Sequence, residues 1–218
     1  MGFFSKLKEG LSKTKNSFDE NGNYIGKETR ENVHKNALWH KTVHCWLYDK
    51  EGNIYFQIRA DVNKLYTTAS GHIKAGETVK QGFAREIKEE VGIDVAYEKA
   101  ELVNVYTFTM DKQKSDGSMF RDRAFSNVYV CEYSGNGKDF HFDPNEVNGL
   151  VKVNAQDTLD LINGTKQSIS STVYKNINNT VEKHDKSDIS IDNFLVNKGE
   201  SAIEKYGDIL TKVIDLTK

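Results

Sequence analysis

The residues of this sequence with the clearest chemical potential are three glutamates, Glu86, Glu89 and Glu90, in one helical pattern. At about 100° per residue, Glu89 and Glu90 lie about −60° and +40° from Glu86, so the three carboxylates share an arc of about 100°. Like charges this close destabilise an isolated helix, and a hard divalent cation with oxygen ligands would compensate for their repulsion. A solvated acidic face with Lys88 as a weak partner explains the same spacing, so the cluster alone leaves both interpretations open.

The helix that must position these glutamates is predicted over residues 78–91. Thr78 followed three residues later by Gln81 is the pattern of a capping box at a helix start. Apolar residues recur at every fourth position over 79–87, which predicts a buried stripe beside the carboxylates. Gly92 is typical of the position that follows the last helical residue. A rigid helix of this kind would hold the three acidic groups at fixed spacing.

A longer pattern surrounds the glutamates and occupies residues 71–93. It is Gly-x5-Glu-x7-Arg-Glu-Ile-x-Glu-Glu-x-Gly-Ile, and it satisfies every position of the Nudix box. The chain therefore resembles the Nudix hydrolases, which split diphosphate linkages in nucleoside diphosphates attached to some other moiety. The resemblance implies an α/β fold, a Nudix-type α/β/α sandwich with a mixed sheet, in which the box forms a loop–helix–loop. It also implies Mg²⁺ or Mn²⁺ as the cofactor.

The resemblance further implies a role for each matching position. The implied metal ligands are Glu86, Glu89, Glu90 and the backbone carbonyl of Gly71. Glu86 or Glu89 would also act as a base toward the attacking water. Glu77 and Arg85 would form an ion pair that orients the helix, which places both among the catalytic residues. Divalent ions suit this chemistry because diphosphate hydrolysis gathers negative charge on the phosphate oxygens.

One branch of the family is similar to this chain from about residue 18 to about residue 163, namely the Nudix proteins related to isopentenyl diphosphate isomerase. The segments that carry this similarity are Asp19-Glu-Asn-Gly-Asn, Gly26-Lys, Arg30-x3-His34-x5-His40, the strand ending at Arg59, and Ser70-Gly-His72. The catalytic cysteine of the isomerase is replaced by Ser70. Its glutamate pair is replaced by Asp122 and Ala124. We therefore expect a hydrolase and not an isomerase.

Three histidines, His34, His40 and His72, match the histidines that bind a metal in the isomerase. One hypothesis is a second, histidine-based metal site. The other is a set of scaffold histidines that are hydrogen-bonded around the strand starting near His40. Because the partner carboxylates of the isomerase are missing, the scaffold hypothesis is preferred, and the question stays open because histidine is a common metal ligand.

Two residues outside the box are predicted to bind the substrate. Arg59, at the end of a strand, could bind phosphate through the fork of donors on its guanidinium group, and a surface ion pair is nearly as consistent with its position. Tyr66 could stack on a base, although aromatic residues in strands more often belong to the core. The segment that carries Tyr66 is short compared with the Trp-rich segment of the isomerase branch.

The composition excludes several classes of protein. The chain has 218 residues, and 30 basic against 32 acidic residues give a formal charge of −2, so binding of bulk nucleic acid by charge alone is not expected. No apolar run approaches the ~20 residues of a transmembrane segment. Cys45 and Cys131 lie in apolar segments and predict reduced, buried thiols, hence a cytoplasmic location.

The predicted organisation is a Nudix domain over residues 17–164 with an extension at each end. Residues 1–16 form a basic amphipathic extension, which either makes weak contact with a membrane or partner or packs on its own domain. Residues 165–218 form a helical carboxy-terminal extension, with a disordered link expected near 184–187. The expected binding partner is a small diphosphate substrate. The chain could also form a homodimer.

The predicted function is metal-dependent hydrolysis of a diphosphate linkage in a nucleoside diphosphate derivative or a similar small diphosphate. The alternative is a non-catalytic regulatory module that binds a nucleotide without turnover. The complete box argues against this alternative, because a pure sensor has no need for every carboxylate. The extension over 165–218 keeps it open, since such appendages often mediate contacts.

Overall fold

The structure is a computed structural model that describes residues 14–177, 180–195 and 200–218. The chain divides into two compact units, each assembled from three stretches of sequence. The described residues of the first unit are 14–44, 71–83 and 104–128. Those of the second unit are 45–70, 84–103 and the described part of 129–218.

Strands and helices combine in a mixed α/β fold, which confirms the predicted fold class. The described strands are β1 (Thr14–Phe18), β2 (Tyr24–Thr29), β3 (His40–Tyr48), β4 (Asn53–Arg59), β5 (Leu65–Tyr66), β6 (Ala69–His72), β7 (Ala100–Gln113), β8 (Met119–Glu132), β9 (Val147–Asn154), β10 (Ile169–Ile177) and β11 (Thr180–Ile189). The described α-helices are α1 (Arg30–Lys35), α2 (Val79–Glu90), α3 (Ala155–Ile162) and α4 (Glu200–Leu216). Short 3₁₀ turns lie at Tyr97–Lys99 and Ile191–Asn193.

The first unit begins with an antiparallel hairpin of β1 and β2. Its turn is closed by the Asp19 carboxylate, which accepts hydrogen bonds from the backbone N–H of Asn23 at 2.8 Å and from the Asn23 side-chain amide at 2.9 Å. Helix α1 follows directly, and the Thr29 hydroxyl caps it by accepting from the Asn32 N–H at 3.2 Å. The run Asp19-Glu-Asn-Gly-Asn therefore forms the turn of this hairpin.

The second unit contains a sheet in which β10 lies between β11 and β9, and β9 pairs with β4. These neighbours are antiparallel, with Phe56 of β4 opposite Val151 of β9. The two-residue strand β5 also pairs with β4, and a parallel bridge joins Leu65 of β5 to Phe194. Both antiparallel and parallel pairings therefore occur within this unit.

The core of the second unit is rich in aromatic residues. Phe56 is fully buried, and its ring centroid lies 5.0 Å from that of Phe194 and 6.1 Å from that of Tyr206. Trp46 contacts both Phe56 and Tyr206 edge-on, at 5.1 and 5.5 Å. Cys45 and Cys131 are free and buried, as the sequence predicts.

Helix α2 has the boundaries and caps that the sequence predicts. The Thr78 N–H donates to Oε1 of Gln81 at 2.9 Å, and the Gln81 N–H donates to the Thr78 hydroxyl at 3.2 Å, which completes the capping box. Gly92 ends the helix with φ at +81°, and its N–H donates to the Ile87 carbonyl at 3.1 Å. Phe83 and Ile87 of the apolar stripe are fully buried.

The carboxy-terminal extension contains the predicted helix as α4, but a hairpin precedes it. Strands β10 and β11 pair with each other, and β10 also pairs with β9 through Ser171 opposite Val153. The disordered link expected near 184–187 is wrong, because these residues lie within β11. The physical reason is that β11 pairs along its length with β10, in which every second residue over 169–173 is buried, namely Ile169, Ser171 and Val173.

The amino-terminal extension falls mostly outside the described residues. Residues 1–13 are not described, so the amphipathic contact predicted for 1–16 stays a prediction, and residues 14–16 belong to β1. Among the described helices, none combines the length and hydropathy that crossing a bilayer would require.

Candidate functional site

The carboxylates of the acidic arc lie in the last two turns of α2, within the second unit. Glu86 and Glu90 are buried, with 8% and 4% of their surfaces exposed, whereas the Glu89 side chain is 53% exposed. An acidic face in full contact with water would not bury two of its three carboxylates. The burial therefore argues against the solvated-face interpretation for Glu86 and Glu90.

Arg85 lies between two of these carboxylates. Its Nη1 atom donates to Oε1 of Glu86 at 2.6 Å and to Oε2 of Glu89 at 2.9 Å. The Arg85 side chain is itself largely buried. Because one planar guanidinium group bridges both acids, it fixes their separation and offsets part of their charge.

Glu90 is held by two donors from other parts of the second unit. The Gln57 side-chain amide donates to Oε2 at 3.1 Å, and the backbone N–H of Ser70 donates to Oε1 at 3.2 Å. Burial, followed by the negative charge of Glu86, raises the pKa of Glu90 to about 8, although both hydrogen bonds act in the opposite direction. Buried carboxylates that repel one another in this way fit a divalent cation, which would neutralise both.

Gln57 and the Ser70 N–H were not among the predicted site residues. Gln57 is the one polar residue in the run Ile54-Tyr-Phe-Gln-Ile58, and it is buried. A buried polar group needs a hydrogen-bond partner, so a glutamine inside an apolar strand is a signal that could have indicated the site. The sequence did not show which partner it would meet, because Glu90 lies 33 residues away.

The two predicted substrate-binding residues lie together. The Arg59 guanidinium carbon is 5.5 Å from the centroid of the Tyr66 ring, a cation–π arrangement. Arg59 also donates to both oxygens of Asp61, at 2.9 and 2.7 Å, so the ion-pair interpretation describes its present contacts. The hydrogen bonds to Asp61 raise the pKa of Arg59 most, and the charge of Glu90 raises it further.

Gly71 and Glu77 belong to the first unit. Gly71 lies in β6, and Oε2 of Glu77 accepts from the Lys74 N–H at 2.8 Å in the loop before α2. The contribution of the Gly71 carbonyl to a metal and the ion pair between Glu77 and Arg85 stay predictions.

A second cluster of candidate ligands lies within the first unit and consists of His34, His40 and His72. One ring nitrogen from each lies within 4.8 Å of the others. The rings are packed face to face or tilted, with centroids 4.7 to 5.5 Å apart. Oδ1 of Asp122 lies 3.5 Å from Nε2 of His40. The fold thus gathers three residues that the sequence places up to 38 positions apart.

Two of these histidines carry ring nitrogens that are not hydrogen-bonded in the way that the scaffold hypothesis expects. Within the described part of the chain, both ring nitrogens of His34 and Nε2 of His40 are buried without a hydrogen-bond partner. Burial lowers the pKa of His34 and of His40 to about 4, and the charges of Lys15 and Arg30 contribute. Neutral imidazoles with unused lone pairs are the form in which histidine binds metals.

Comparison with known proteins gives the following relationships. Residues 38–170 match the family model of the NUDIX domain. A protein named as an uncharacterized Nudix hydrolase from Clostridium acetobutylicum is 35% identical over 144 residues, which cover 62% of this chain and 67% of the relative. An isopentenyl-diphosphate Delta-isomerase from Serratia proteamaculans is 27% identical over 123 residues, 54% of this chain and 64% of the relative.

Among solved structures, the crystal structure of DR0079 from Deinococcus radiodurans is similar with a TM-score of 0.50. The alignment has 18% sequence identity and covers 70% of this chain and 90% of that one. At this level of identity, the likeness concerns the fold alone.

Proposed function

Because the chain belongs to the Nudix family, whose members hydrolyse pyrophosphate-containing substrates, we propose that it cleaves a diphosphate linkage in a nucleoside diphosphate derivative or a similar small diphosphate. The chain is a Nudix pyrophosphohydrolase, and our proposal concerns its substrate class and its dependence on Mg²⁺ or Mn²⁺. The observation that carries this proposal is the buried pair Glu86 and Glu90 beside the more exposed Glu89.

The residues proposed to hold a divalent ion are Glu86, Glu89 and Glu90, with the carbonyl of Gly71 as a further ligand. A bound Mg²⁺ or Mn²⁺ would supply positive charge for the phosphate oxygens and lower the pKa of a bound water. Gln57 and the Ser70 N–H orient Glu90, so one side chain of the set is fixed before any ion arrives.

The proposed proton acceptor is the carboxylate of Glu89 or Glu86. Glu89 is the more accessible to a substrate water, since half of its side chain is exposed. Arg85 holds both candidates through one guanidinium group and so limits their motion. Glu77 is proposed to orient the helix through Arg85.

Arg59 and Tyr66 are proposed to contact the substrate. The guanidinium group of Arg59 offers planar, paired donors that match phosphate oxygens, and its pairing with Asp61 keeps it oriented until a substrate competes for it. The ring of Tyr66 lies beside Arg59, and its proposed role is to contact the group attached to the diphosphate.

The experiment that tests this function is a substrate panel with the purified protein. Nucleoside diphosphates, dinucleotides and nucleotide sugars are incubated with Mg²⁺ or Mn²⁺, and release of phosphate or nucleotide is measured. We expect turnover of at least one class, lost in the variant Glu86→Gln. Release that is equal in the wild type and in Glu86→Gln would overturn the proposal.

We further propose that His34, His40 and His72 bind a second metal ion, with Asp122 as the nearby carboxylate. The supporting observation is the set of converging nitrogens, of which those of His34 and Nε2 of His40 are buried without hydrogen bonds in the described structure. Three imidazoles and one carboxylate suit a transition-metal ion such as Zn²⁺ better than Mg²⁺.

Metal analysis of the purified protein tests this second site. We expect about one equivalent of a transition metal, retained in Glu86→Gln and lost in His72→Asn. The exposed residue His184 provides the matched control, and His184→Asn should retain the metal. Metal-free wild type that also fails to bind added Zn²⁺ would restore the scaffold hypothesis.

A further inference from the structure

The segment Ser190–Leu195, here named the tail segment, makes direct contact with strand β5. The Leu195 N–H donates to the Leu65 carbonyl at 2.8 Å, next to the parallel bridge between Leu65 and Phe194. The Lys64 ammonium group donates to the carbonyl of Asp192. Strand β5 is therefore held on one side by β4 and on the other by the tail segment.

The tail segment is itself rigidly supported. Its 3₁₀ turn has a capping box, in which the Ser190 N–H donates to Oδ1 of Asn193 at 2.9 Å. Phe194 is buried against Phe56. The Tyr206 hydroxyl from α4 reaches the Leu195 carbonyl at 3.5 Å. Because the tail segment is anchored by these contacts, it can hold strand β5 in a fixed position.

Strand β5 connects the tail segment to the candidate site. Tyr66 of β5 lies opposite Gln57 of β4, whose side chain donates to Glu90. On the same strand pair, the Arg59 N–H donates to the Lys64 carbonyl at 3.0 Å, and the Arg59 guanidinium group lies beside the Tyr66 ring. Tyr66 and the Lys64 carbonyl that accepts from Arg59 therefore depend directly on the position of β5, whereas the carboxylates lie on the separate helix α2.

We propose that the tail segment determines substrate specificity, because by holding β5 it positions Tyr66 and Arg59 against the part of the substrate that lies beyond the diphosphate. This inference rests on the proposed function. It assigns the carboxy-terminal extension a role in selection among diphosphates and leaves the hydrolytic step to the residues of α2. Phe194 and Lys64 are thus positioning residues, since they act through Tyr66 and Arg59.

The test compares Phe194→Ala and Lys64→Met with the control Ile191→Ala, whose side chain is 39% exposed in the same turn. Two substrates that share a diphosphate and differ in the attached group are assayed with each variant. We expect Phe194→Ala to change the ratio of their kcat/KM values about tenfold, through KM, and Lys64→Met about threefold. Mn²⁺ affinity, measured by calorimetry, should stay within about twofold of the wild type.

Several outcomes would overturn the inference. These are an unchanged substrate ratio in both variants, an equal loss for both substrates, or the same change in Ile191→Ala. Phe194→Met keeps a bulky apolar side chain at this position and should restore most of the wild-type ratio of kcat/KM values. If Phe194→Ala does not fold, Lys64→Met still tests the inference, because it changes no buried side chain. If the wild type hydrolyses none of the substrates, the proposed function fails. The inference is then tested by binding, with the dissociation constants of two methylene-bridged diphosphate analogues measured for each variant. The ratio of these constants should change in Phe194→Ala and Lys64→Met and stay unchanged in Ile191→Ala.

Discussion

Glu90 in the carboxylate cluster of α2 and His40 in the histidine cluster of the first unit are both buried, and burial shifts their pKa values in opposite directions. It raises the pKa of Glu90 to about 8 and lowers that of His40 to about 4, because a low-dielectric environment disfavours the charged form of either group. Their neighbours differ in sign, since Glu86 lies beside Glu90 whereas Lys15 and Arg30 act on the histidines. One cluster therefore concentrates negative charge, and the other concentrates neutral nitrogen donors.

This difference matches the two kinds of metal site that we propose for this chain. Oxygen donors with excess negative charge favour a hard ion such as Mg²⁺, whereas neutral imidazoles favour a transition metal. Removing a charge from the first cluster should therefore affect catalysis, and removing a ring from the second should affect metal content and acid stability.

The largest effect is expected for Glu89→Gln, which keeps the shape and removes the charge. Turnover should fall by at least ~10²-fold, because the residue would lose either metal binding or proton acceptance. Thermal stability without metal should change little, since the lost ion pair with Arg85 is half-exposed and the repulsion from Glu86 is relieved. Steady-state kinetics and thermal unfolding measure the two effects.

The matched control for this substitution is Glu20→Gln, in an exposed turn of the first unit. It removes the same charge and should leave turnover within about twofold of the wild type. If Glu89→Gln retained more than half of the wild-type turnover, its carboxylate would belong to a solvated face after all.

The next effect concerns Mn²⁺ affinity as a function of pH. With its pKa raised to about 8, Glu90 is protonated below that value and must release its proton when an ion binds. Affinity should fall roughly tenfold per pH unit from pH 8 to pH 6. Calorimetry in two buffers of different ionisation enthalpy would detect the proton, and a pH-independent affinity would exclude Glu90 as a ligand.

A smaller effect is expected from the histidines under acid conditions. His34 and His40 bind protons near pH 6.5 when unfolded and near pH 4 when folded, so the unfolded state holds more protons between these values. Their contribution to stability is complete above pH 6.5 and is lost as the pH falls toward 4. In metal-free protein, His40→Asn should reduce this loss by on the order of 1–2 kcal/mol.

Urea unfolding at pH 7, 5.5 and 4.5 measures this dependence. His184→Asn again provides the comparison, because it removes an exposed imidazole and leaves the histidine cluster intact. Equal slopes in the wild type and in His40→Asn would show that the buried ring does not control acid stability.

The smallest effect is expected for Lys88→Gln. The Lys88 ammonium group pairs with Asp94 at 2.8 Å, and both side chains are more than half exposed. Its removal should change turnover by less than about twofold and stability by less than about 1 kcal/mol. A large loss of activity would instead indicate that Lys88 balances the charge of the acidic arc.

The sequence predicted best those features whose determinants lie close together along the chain. The capping box of α2, its end at Gly92 and its buried apolar stripe each depend on residues within a few positions of one another. The hydrogen bond from Gln57 to Glu90 could not be predicted in the same way, because it requires the tertiary fold. The convergence of the histidines had only the family resemblance to indicate it.

The carboxy-terminal extension was harder to predict, because the many polar residues of β10 and β11 obscure the hydrophobic pattern that usually indicates a strand. The hairpin of β10 and β11 takes its stability from pairing with β9, a partner that local composition does not reveal. The predicted boundary at residue 164 lies in the connection between α3 and β10, and the matched family region extends to residue 170. The domain division itself stays a prediction.

The aromatic packing around Phe56 also has a consequence for the order of events during protein synthesis. Phe56 packs against Phe194, which lies 138 positions later in the chain, and Trp46 packs against Tyr206, which lies 160 positions later. A nascent chain that has already produced the whole Nudix box therefore still exposes these rings to solvent or to chaperones. Contacts of such long sequence separation form slowly, so we expect the segment that carries Phe194 and Tyr206 to complete the folding of the second unit.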